Sequence, residues 1–358
     1  MVNYPDGWTL STVDQIVDIG TGCRDTQDNI PYGRYKFFVR SPIVERIDVA
    51  DYDCEAVLTA GDGVGTGKVF HYVNGLFSAH QRVYVMNNFR NVLGKYFFYY
   101  FSKYFIYEVE KYTAKSSVDS VRRPMIAEME IPLPPIEEQQ RIIKAISAFD
   151  THIDNLTELI EKKKAIREGA LFDLITGKKR LHGFHEKWSS SKIGNILSIL
   201  HGQNQKQVES LHGRYPILGT GGIIGYADKP LCDWECVLIG RKGTIDHPFY
   251  MNTPFWTIDT LYYSKPMPNQ CVKYQYYLFC TIDWYNYAES SGRPSLTRKA
   301  ISEIEIILPS YEEQLAIAEV LTSMDNEIHS LEEERDKMIK IREGAMDDLL
   351  TGKVRLMD

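Results

Sequence analysis

Residues 61–68 read Gly-Asp-Gly-Val-Gly-Thr-Gly-Lys, and the closing Gly67-Lys68 invites a phosphate-binding reading. The spacing refuses it. A loop of the G-x4-G-K type needs glycine where Asp62 stands, and a Ser or Thr to hold magnesium where Val69 stands. Two readings stay open for this loop. It is a flexible hairpin connection, or its backbone approaches a nucleic-acid backbone closely, with Lys68 adding charge. Other catalytic constellations are missing. The chain has no H-E-x-x-H, no G-x-S-x-G and no G-x-G-x-x-G in strand–helix context. Pro134-Pro135 lacks the preceding Asn or Asp and the following aromatic that amino-group methylation would require. His80-Gln81-Arg82 and Asp246-His247 read as surface or core polar groups. Cys23, Cys54, Cys232, Cys236, Cys271 and Cys280 include no CxxC, and Cys232 with Cys236 has no second pair at zinc spacing. They read as reduced thiols of a cytoplasmic protein.

A chain of 358 residues with 44% hydrophobic residues has room for two or three domains, each with its own core. No apolar run approaches the roughly 20 residues that span a bilayer, so no membrane association is expected. Residues 1–8 show neither a basic nor an apolar leader region, so no secretory signal is expected. The net charge of −7 argues against a nucleic-acid binder until it is located. Residues 1–135 carry 16 acidic against 14 basic groups, 136–181 carry 8 against 9, and 182–305 carry 11 against 12. Residues 306–358 carry 13 against 6. The whole deficit equals that of the last segment, and a local basic face elsewhere remains open.

What must position any site is a repeat. Residues 131–181 and 306–356 align without a gap at an offset of 175, with close to half the positions identical. Each copy predicts one long helix. Pro134 and Pro309 precede it, and Glu137, Glu138, Glu312 and Glu313 fall in the first turn, where carboxylates complement the macrodipole. Thr-Gly-Lys closes it, with Gly177 and Gly352 at the expected C′ position. Apolar residues step by four and three through Ile142, Ile146, Phe149, Ile153, Leu156 and Ile160, and through Ile317, Leu321, Met324, Ile328, Leu331 and Met338. That heptad seam wants a helical partner along its length, and Lys163 and Arg335 interrupt it. About 38 residues make a rod of roughly 57 Å.

The segments before each helix share a frame. Trp8 leads to Val13 and Ile16, and Trp188 leads to Ile193 and Ile196. Ser116, Ser120, Val121 and Arg123 match Ser291, Ser295, Leu296 and Arg298 at the same offset of 175. Between these anchors the halves diverge. Short strands are predicted at 35–40, 56–60, 68–73, 82–86, 237–240, 256–258 and 261–264, separated by glycine-rich turns. The aromatic stretches 96–100 and 274–279 are helices or strands of the core. Two α+β domains are expected.

The repeated P-x2-E-E-Q opening (Pro134, Glu137, Glu138, Gln139; Pro309, Glu312, Glu313, Gln314) and the L-[IL]-T-G-K-x-R-L close at 174–181 and 349–356 resemble the central and C-terminal regions of type I restriction-modification specificity subunits. The Trp-led entry and residues 115–124 also resemble target-recognition domains of that family. The resemblance covers essentially the whole chain. It implies recognition domains at 1–133 and 182–308, each followed by a long helix, at 134–181 and 309–358. The helices would pack as an antiparallel coiled coil with pseudo-two-fold symmetry. It further implies a non-catalytic subunit that reads an asymmetric, bipartite sequence in double-stranded DNA. Its partners would be two modification (methyltransferase) subunits and restriction subunits. S-adenosylmethionine, ATP and magnesium would belong to those partners and no cofactor to this chain. On that reading DNA contacts are expected from Arg24, Lys68, Gln81, Arg82, Lys115, Ser116, Arg122 and Arg123. In the second half they are expected from Gln203, Asn204, Gln205, Arg241, Lys242, Thr244, Arg293 and Arg298, Arg suiting guanine and Gln or Asn adenine. The near-neutral halves keep a rival open: a two-domain coiled-coil scaffold for protein partners, with no DNA specificity.

Overall fold

The computed structural model describes residues 4–63, 65–113, 120–289 and 292–356. They form two compact units, Met1–Leu156 with Glu334–Asp358, and Thr157–Glu333. The boundary falls inside both long helices, Ile136–Ile175 and Tyr311–Leu350, so each unit holds one half of each.

In unit 1 the strand Thr9–Thr12 pairs antiparallel with Glu130–Leu133, just before the first long helix. Between them lies a six-stranded sheet in the order Asp18–Thr21, Val83–Asn87, Tyr52–Ala60, Phe70–Ala79, Tyr35–Phe38, Glu45–Ile47. Only Tyr35–Phe38 and Phe70–Ala79 run parallel. The helix Gly94–Thr113 packs its aromatic side chains into the core, with Tyr96, Phe97, Tyr99, Phe101 and Phe105 all buried. The aromatic stretch at 96–100 is therefore helical, as is 274–279 within the helix Val272–Thr281.

Unit 2 repeats the plan. Ser189–Lys192 pairs with Glu305–Leu308. One sheet runs Leu197–His201, Leu261–Pro266, Cys236–Gly240, Phe249–Met251, and a second runs Gly222–Ala227, Tyr215–Gly219, Trp256–Thr257. Phe249–Met251 and Trp256–Thr257 together take the place of the single long strand Phe70–Ala79. Pro254 lies between them, and a residue with no N–H to donate cannot continue a ladder. Gly33-Arg34-Tyr35 and Gly213-Arg214-Tyr215 occupy the same station in the two units. A Cβ on Gly33 would meet the Ile47 backbone at 2.4 Å, and one on Gly213 the Ala227 backbone at 2.6 Å.

Both long helices end as their sequence requires. Gly177 and Gly352 take the left-handed conformation, with φ of 69° and 73°. The Lys179 and Val354 amides turn back onto the Asp173 and Asp348 carbonyls, each at 3.0 Å. Every one of the twelve seam residues is buried or half-buried. Burial continues beyond the seam, through Leu171, Leu174 and Ile175 and through Met346, Leu349 and Leu350. These last turns pack into the globular cores with Ile193 and Ile196, or with Val13 and Ile16, so the heptad pattern stops while burial does not.

Within each unit the opening of one helix lies beside the close of the other. Unit 1 pairs Asp150 with Arg342 at 2.5 Å and His152 with Glu334 at 3.5 Å. Unit 2 pairs Lys163 with Glu327 at 2.7 Å and Arg167 with Asp325 at 2.8 Å. Numbers rise along one helix as they fall along the other, so the paired turns run antiparallel. The strongest tie lies at the helix starts. Glu138 and Glu313 are only 2% and 1% exposed, and each receives a two-pronged guanidinium and an indole N–H. Arg355 donates to Glu138 at 3.0 and 2.7 Å and Trp8 at 3.2 Å. Arg180 donates to Glu313 at 2.9 and 2.6 Å and Trp188 at 3.0 Å. The neighbouring Gln139 and Gln314 accept the Leu93 and Cys271 amides at 2.9 and 3.1 Å and donate to the Pro134 and Pro309 carbonyls.

Two expectations follow. Ile146 is fully buried, so Ile146→Ala should destabilise its unit by about 2–5 kcal/mol; an unchanged urea midpoint would mean that this turn is not packed. The Arg355 guanidinium holds the Glu138 carboxyl below its ordinary value of 4.5, outweighing burial. The stabilisation is therefore complete above pH 4.5 and lost as pH falls through the lower folded value. Glu138→Gln should remove that acid dependence and lower stability at neutral pH, read by thermal melting across pH 3–7.

Candidate nucleic-acid interface

In each unit one end of the main sheet gathers charged side chains on a shared backbone frame. The Gly61 amide donates to the Arg82 carbonyl at 2.8 Å, and the Val121 amide donates to the Gly61 carbonyl at 2.7 Å. The Arg241 amide likewise donates to Thr260 at 2.7 Å, and Leu296 to Arg241 at 2.9 Å. Tyr84 and Tyr262 place their hydroxyls on the Val121 and Leu296 carbonyls, at 3.3 and 3.1 Å. Asp62 bridges to Ser120 as Lys242 bridges to Ser295. The next residue is glycine at positive φ in both, Gly63 at 77° and Gly243 at 88°. One frame therefore carries Gly61-Asp62-Gly63 in unit 1 and Arg241-Lys242-Gly243 in unit 2. The charge at its centre is inverted.

In unit 1 the Asp62 carboxylate takes Arg40 Nη1 on one oxygen at 2.6 Å and Arg82 Nη1 on the other at 2.5 Å. Burial opposes its charge, but the two guanidiniums outweigh that and hold the carboxyl below the usual range. The buried His80 ring accepts the Arg82 amide through Nδ1 at 3.0 Å, and burial first, then the charge of Arg40, lowers its pKa. Arg24 is gripped by Asp51 through two bonds of 2.8 and 2.5 Å, and Gln81 donates to Asp25 at 3.2 Å. The glycine loop has an internal explanation. A Cβ on Gly65 would strike the Arg40 carbonyl at 2.5 Å, and one on Gly67 would meet Ile106 at 3.1 Å. Close approach by the protein's own backbone accounts for Gly65, and a left-handed φ of 66° beside the Ile106 side chain accounts for Gly67.

Unit 2 leaves its cations less engaged. Arg241, Lys242 and Arg293 line an open cleft of about 630 Å3 with Glu289, Tyr262, Ser295 and Thr297. The Gly243 amide donates to the Pro294 carbonyl at 3.1 Å, which seats Arg293 against the turn. Arg241 donates to the Asp259 carbonyl at 3.2 Å and stands 3.9 Å from its carboxylate. Lys242, Arg293 and Arg298 make no ion pair among the described residues. His201 borders the cluster, its ring 5.0 Å from that of Tyr262. Burial first, then the charges of Arg298 and Arg241, lowers its pKa.

Arg24, Gln81 and Arg82 thus lie on adjoining strand ends, and Arg122 and Arg123 follow directly on Val121, with Arg123 opening the short helix Arg123–Ala127. Lys68 is exposed past the glycine loop. Lys115 and Ser116 lie outside the described residues, as do Ser291 and its match to Ser116. In unit 2 Arg241, Lys242 and Arg293 come together in the cleft, Arg298 opens the helix Arg298–Glu303 and acts with Arg241 on His201, and the Thr244 carbonyl lies against Gly240. Gln203, Asn204 and Gln205 build a local turn. Asn204 Oδ1 accepts the Lys206 amide at 2.9 Å, and the Gln203 carbonyl accepts the Trp256 indole at 2.9 Å. Arg40, Asp62 and His201 escaped the sequence reading. Their one visible signal was the strand end, Arg40 closing the stretch predicted at 35–40.

Comparison with known proteins agrees with this doubled plan. The family model described as the type I restriction modification DNA specificity domain matches residues 5–165 and again residues 185–340. The putative type I restriction enzyme MjaX specificity subunit of Methanocaldococcus jannaschii is 27% identical over 298 residues, covering 75% of this chain and 70% of its own. The type I restriction enzyme MjaVIII specificity subunit of the same organism is 23% identical over 346 residues, covering 84% and 79%. The fold matches the crystal structure of the type I restriction-modification S subunit from M. genitalium with a TM-score of 0.70, at 20% identity, over 97% of this chain and 96% of that one.

The cation cluster around His201 can be probed directly. Arg298→Ala removes a positive charge facing the imidazole, so the His201 pKa should rise; an NMR titration that does not move would place Arg298 elsewhere.

Proposed function

The chain belongs to the type I restriction modification DNA specificity family, and we propose that it reads an asymmetric, bipartite DNA target, one part with each recognition domain. The observation that carries this reading is the recurrence of one backbone frame with unlike contents. Ser120 and Ser295, Tyr84 and Tyr262, and Gly63 and Gly243 keep their stations, while Asp62 faces Lys242 and Gly61 faces Arg241 across the comparison. A duplicated reader with conserved frame and inverted charge presents two different chemistries to one polyanion. The recognition domains are residues 1–133 and 182–308, and the helical segments are 134–181 and 309–358.

The long helices pack as an antiparallel coiled coil that sets the spacing between the two half-sites. Support comes from each unit separately, where the seam residues are buried and the ion pairs run antiparallel. Forty residues make a helix of roughly 60 Å, more than the roughly 34 Å between half-sites one DNA turn apart. The same helices dock two modification subunits, and restriction subunits join for cleavage. The chain itself is not a catalyst. S-adenosylmethionine, ATP and magnesium serve the partners' chemistry. The complex works on DNA in the cytoplasm, and no helix among the described residues is long and apolar enough to cross a membrane. Of the candidate contacts, Lys242, Arg293 and Arg298 suit the phosphate backbone, because their charge is not already matched by a carboxylate.

The test is the methylation pattern of the chain assembled with its modification subunits. A bipartite motif is expected. Exchanging residues 1–133 for those of a relative should rewrite one half of it and leave the other intact. A complex that methylates without sequence preference, or an exchange that rewrites both halves, would refute the reading.

A further inference from the structure

At the strand ends of unit 1 the Arg40–Asp62–Arg82 cluster joins two guanidiniums through one carboxylate. A single carboxylate, 19% exposed, holds two guanidiniums by one Nη1 each, at 2.6 and 2.5 Å, while their side chains remain 41% and 61% exposed. Each guanidinium has five N–H donors in a rigid plane, so one bond to Asp62 leaves the outward donors free and fixes where they point. Each Asp62 oxygen accepts a guanidinium N–H, so the carboxylate's main engagement is within the cluster. The frame beneath is hydrogen-bonded and closely packed. The Gly61 amide donates to the Arg82 carbonyl, Asp62 bridges to Ser120, and Gly65 abuts the Arg40 carbonyl.

We infer that Asp62 is a specificity-determining positioning residue: it presents Arg40 and Arg82 as a pre-oriented reader of guanine in the half-site bound by unit 1. The inference rests on the proposed DNA-reading role. Two neighbouring acceptors on the guanine edge match the paired donors of a guanidinium, and that match is the commonest specific contact to a base. Holding a long side chain in place beforehand removes the ordering cost that would otherwise weaken the contact. A phosphate is the less fitting ligand. Its charge would be repelled by the carboxylate between the two cations, and unit 2 carries Lys242, not an acid, at the same station. The cluster at this station in unit 1 therefore suits a base edge, and the cations at the matching station in unit 2 suit phosphate.

The experiment uses the full chain assembled with its modification subunits and a randomised duplex library, from which bound and methylated sequences are read. Wild type defines the motif, and the exchange of residues 1–133 identifies the half belonging to unit 1. Asp62→Asn keeps the shape and removes the charge, and Arg82→Ala removes an exposed group that the core does not need. Both variants should relax preference at the same G·C pair of that half-site, on the order of 10-fold, and leave the other half-site unchanged. The inference fails if that half-site holds no G·C pair, or if the two variants relax different positions. It also fails if either variant weakens binding to all sequences equally, with a salt dependence shallower by about one, as loss of a phosphate contact predicts. Absence of any motif in wild type would instead overturn the DNA-reading role itself. A normal wild-type motif with an unaltered Asp62→Asn pattern overturns the triad alone.

Discussion

A carboxylate taken almost wholly out of water must be paired, because an unpaired buried charge costs several kcal/mol. Glu138 and Glu313 are such carboxylates, and each is answered by a guanidinium and an indole. The partners explain much of the architecture. Trp8 immediately precedes the strand Thr9–Thr12, and Trp188 precedes Ser189–Lys192. Arg355 and Arg180 follow the glycines that stop the helices. One ion cluster therefore joins the entry of a recognition domain, the start of the helix that leaves it and the end of the other copy's helix. The repeated E-E-Q and T-G-K-x-R-L motifs are the two sides of this contact. The close of the second copy meets the opening of the first in unit 1, and the close of the first meets the opening of the second in unit 2. Unit 1 accordingly combines two segments far apart in sequence, one up to Leu156 and one from Glu334. Contacts of such sequence separation form late, because loop-closure entropy opposes them.

Duplication on this scaffold preserved backbone more strictly than side chains. The hydrogen bonds that hold Gly61 and Arg241 are the same in kind and length, although one residue has no side chain and the other a long cation. Backbone groups in a sheet must be satisfied whatever the side chains do, so the ladder restrains the frame while the exposed strand ends diverge. The divergence has a structural limit, seen where Pro254 splits one strand into two and the sheet with it.

The long helices were readable because several independent signals agreed over 40 residues: proline before, acids in the first turn, a heptad seam, glycine after. Most predicted strands coincide with strands, but the aromatic stretches could not be assigned to helix or strand. Tyr96, Phe97, Tyr99, Tyr100 and Phe101 are all buried, so the helix Gly94–Thr113 lacks a polar face over that turn and shows no period to read. The candidate contact residues were legible only as types. Arg24 and Arg82 were chosen as cations, yet nothing local reveals that Asp51 and Asp62, 27 and 20 residues distant, hold them. Arg40 and Asp62 did not stand out as contacts for the same reason. Their significance is a meeting of separate strands, which one-dimensional spacing does not encode.

Net charge misled for a physical reason that the side-chain pairs make plain. The acidic excess lies in residues 306–358, and much of it answers cations nearby: Glu313 meets Arg180, Asp325 meets Arg167, Glu327 meets Lys163, and Glu343 and Asp347 meet Lys103. Charges matched at ion-pair distance produce little field beyond a Debye length of about 8 Å at physiological salt. Lys242, Arg293 and Arg298 are not neutralised in this way and gather at one sheet end. Affinity for a polyanion depends on how many cations displace its counterions at the contact, not on the sum over the chain. An acidic protein can therefore present a basic surface, provided its acids are engaged elsewhere. Here several acids of the second long helix pair within their own unit, away from the strand-end cations.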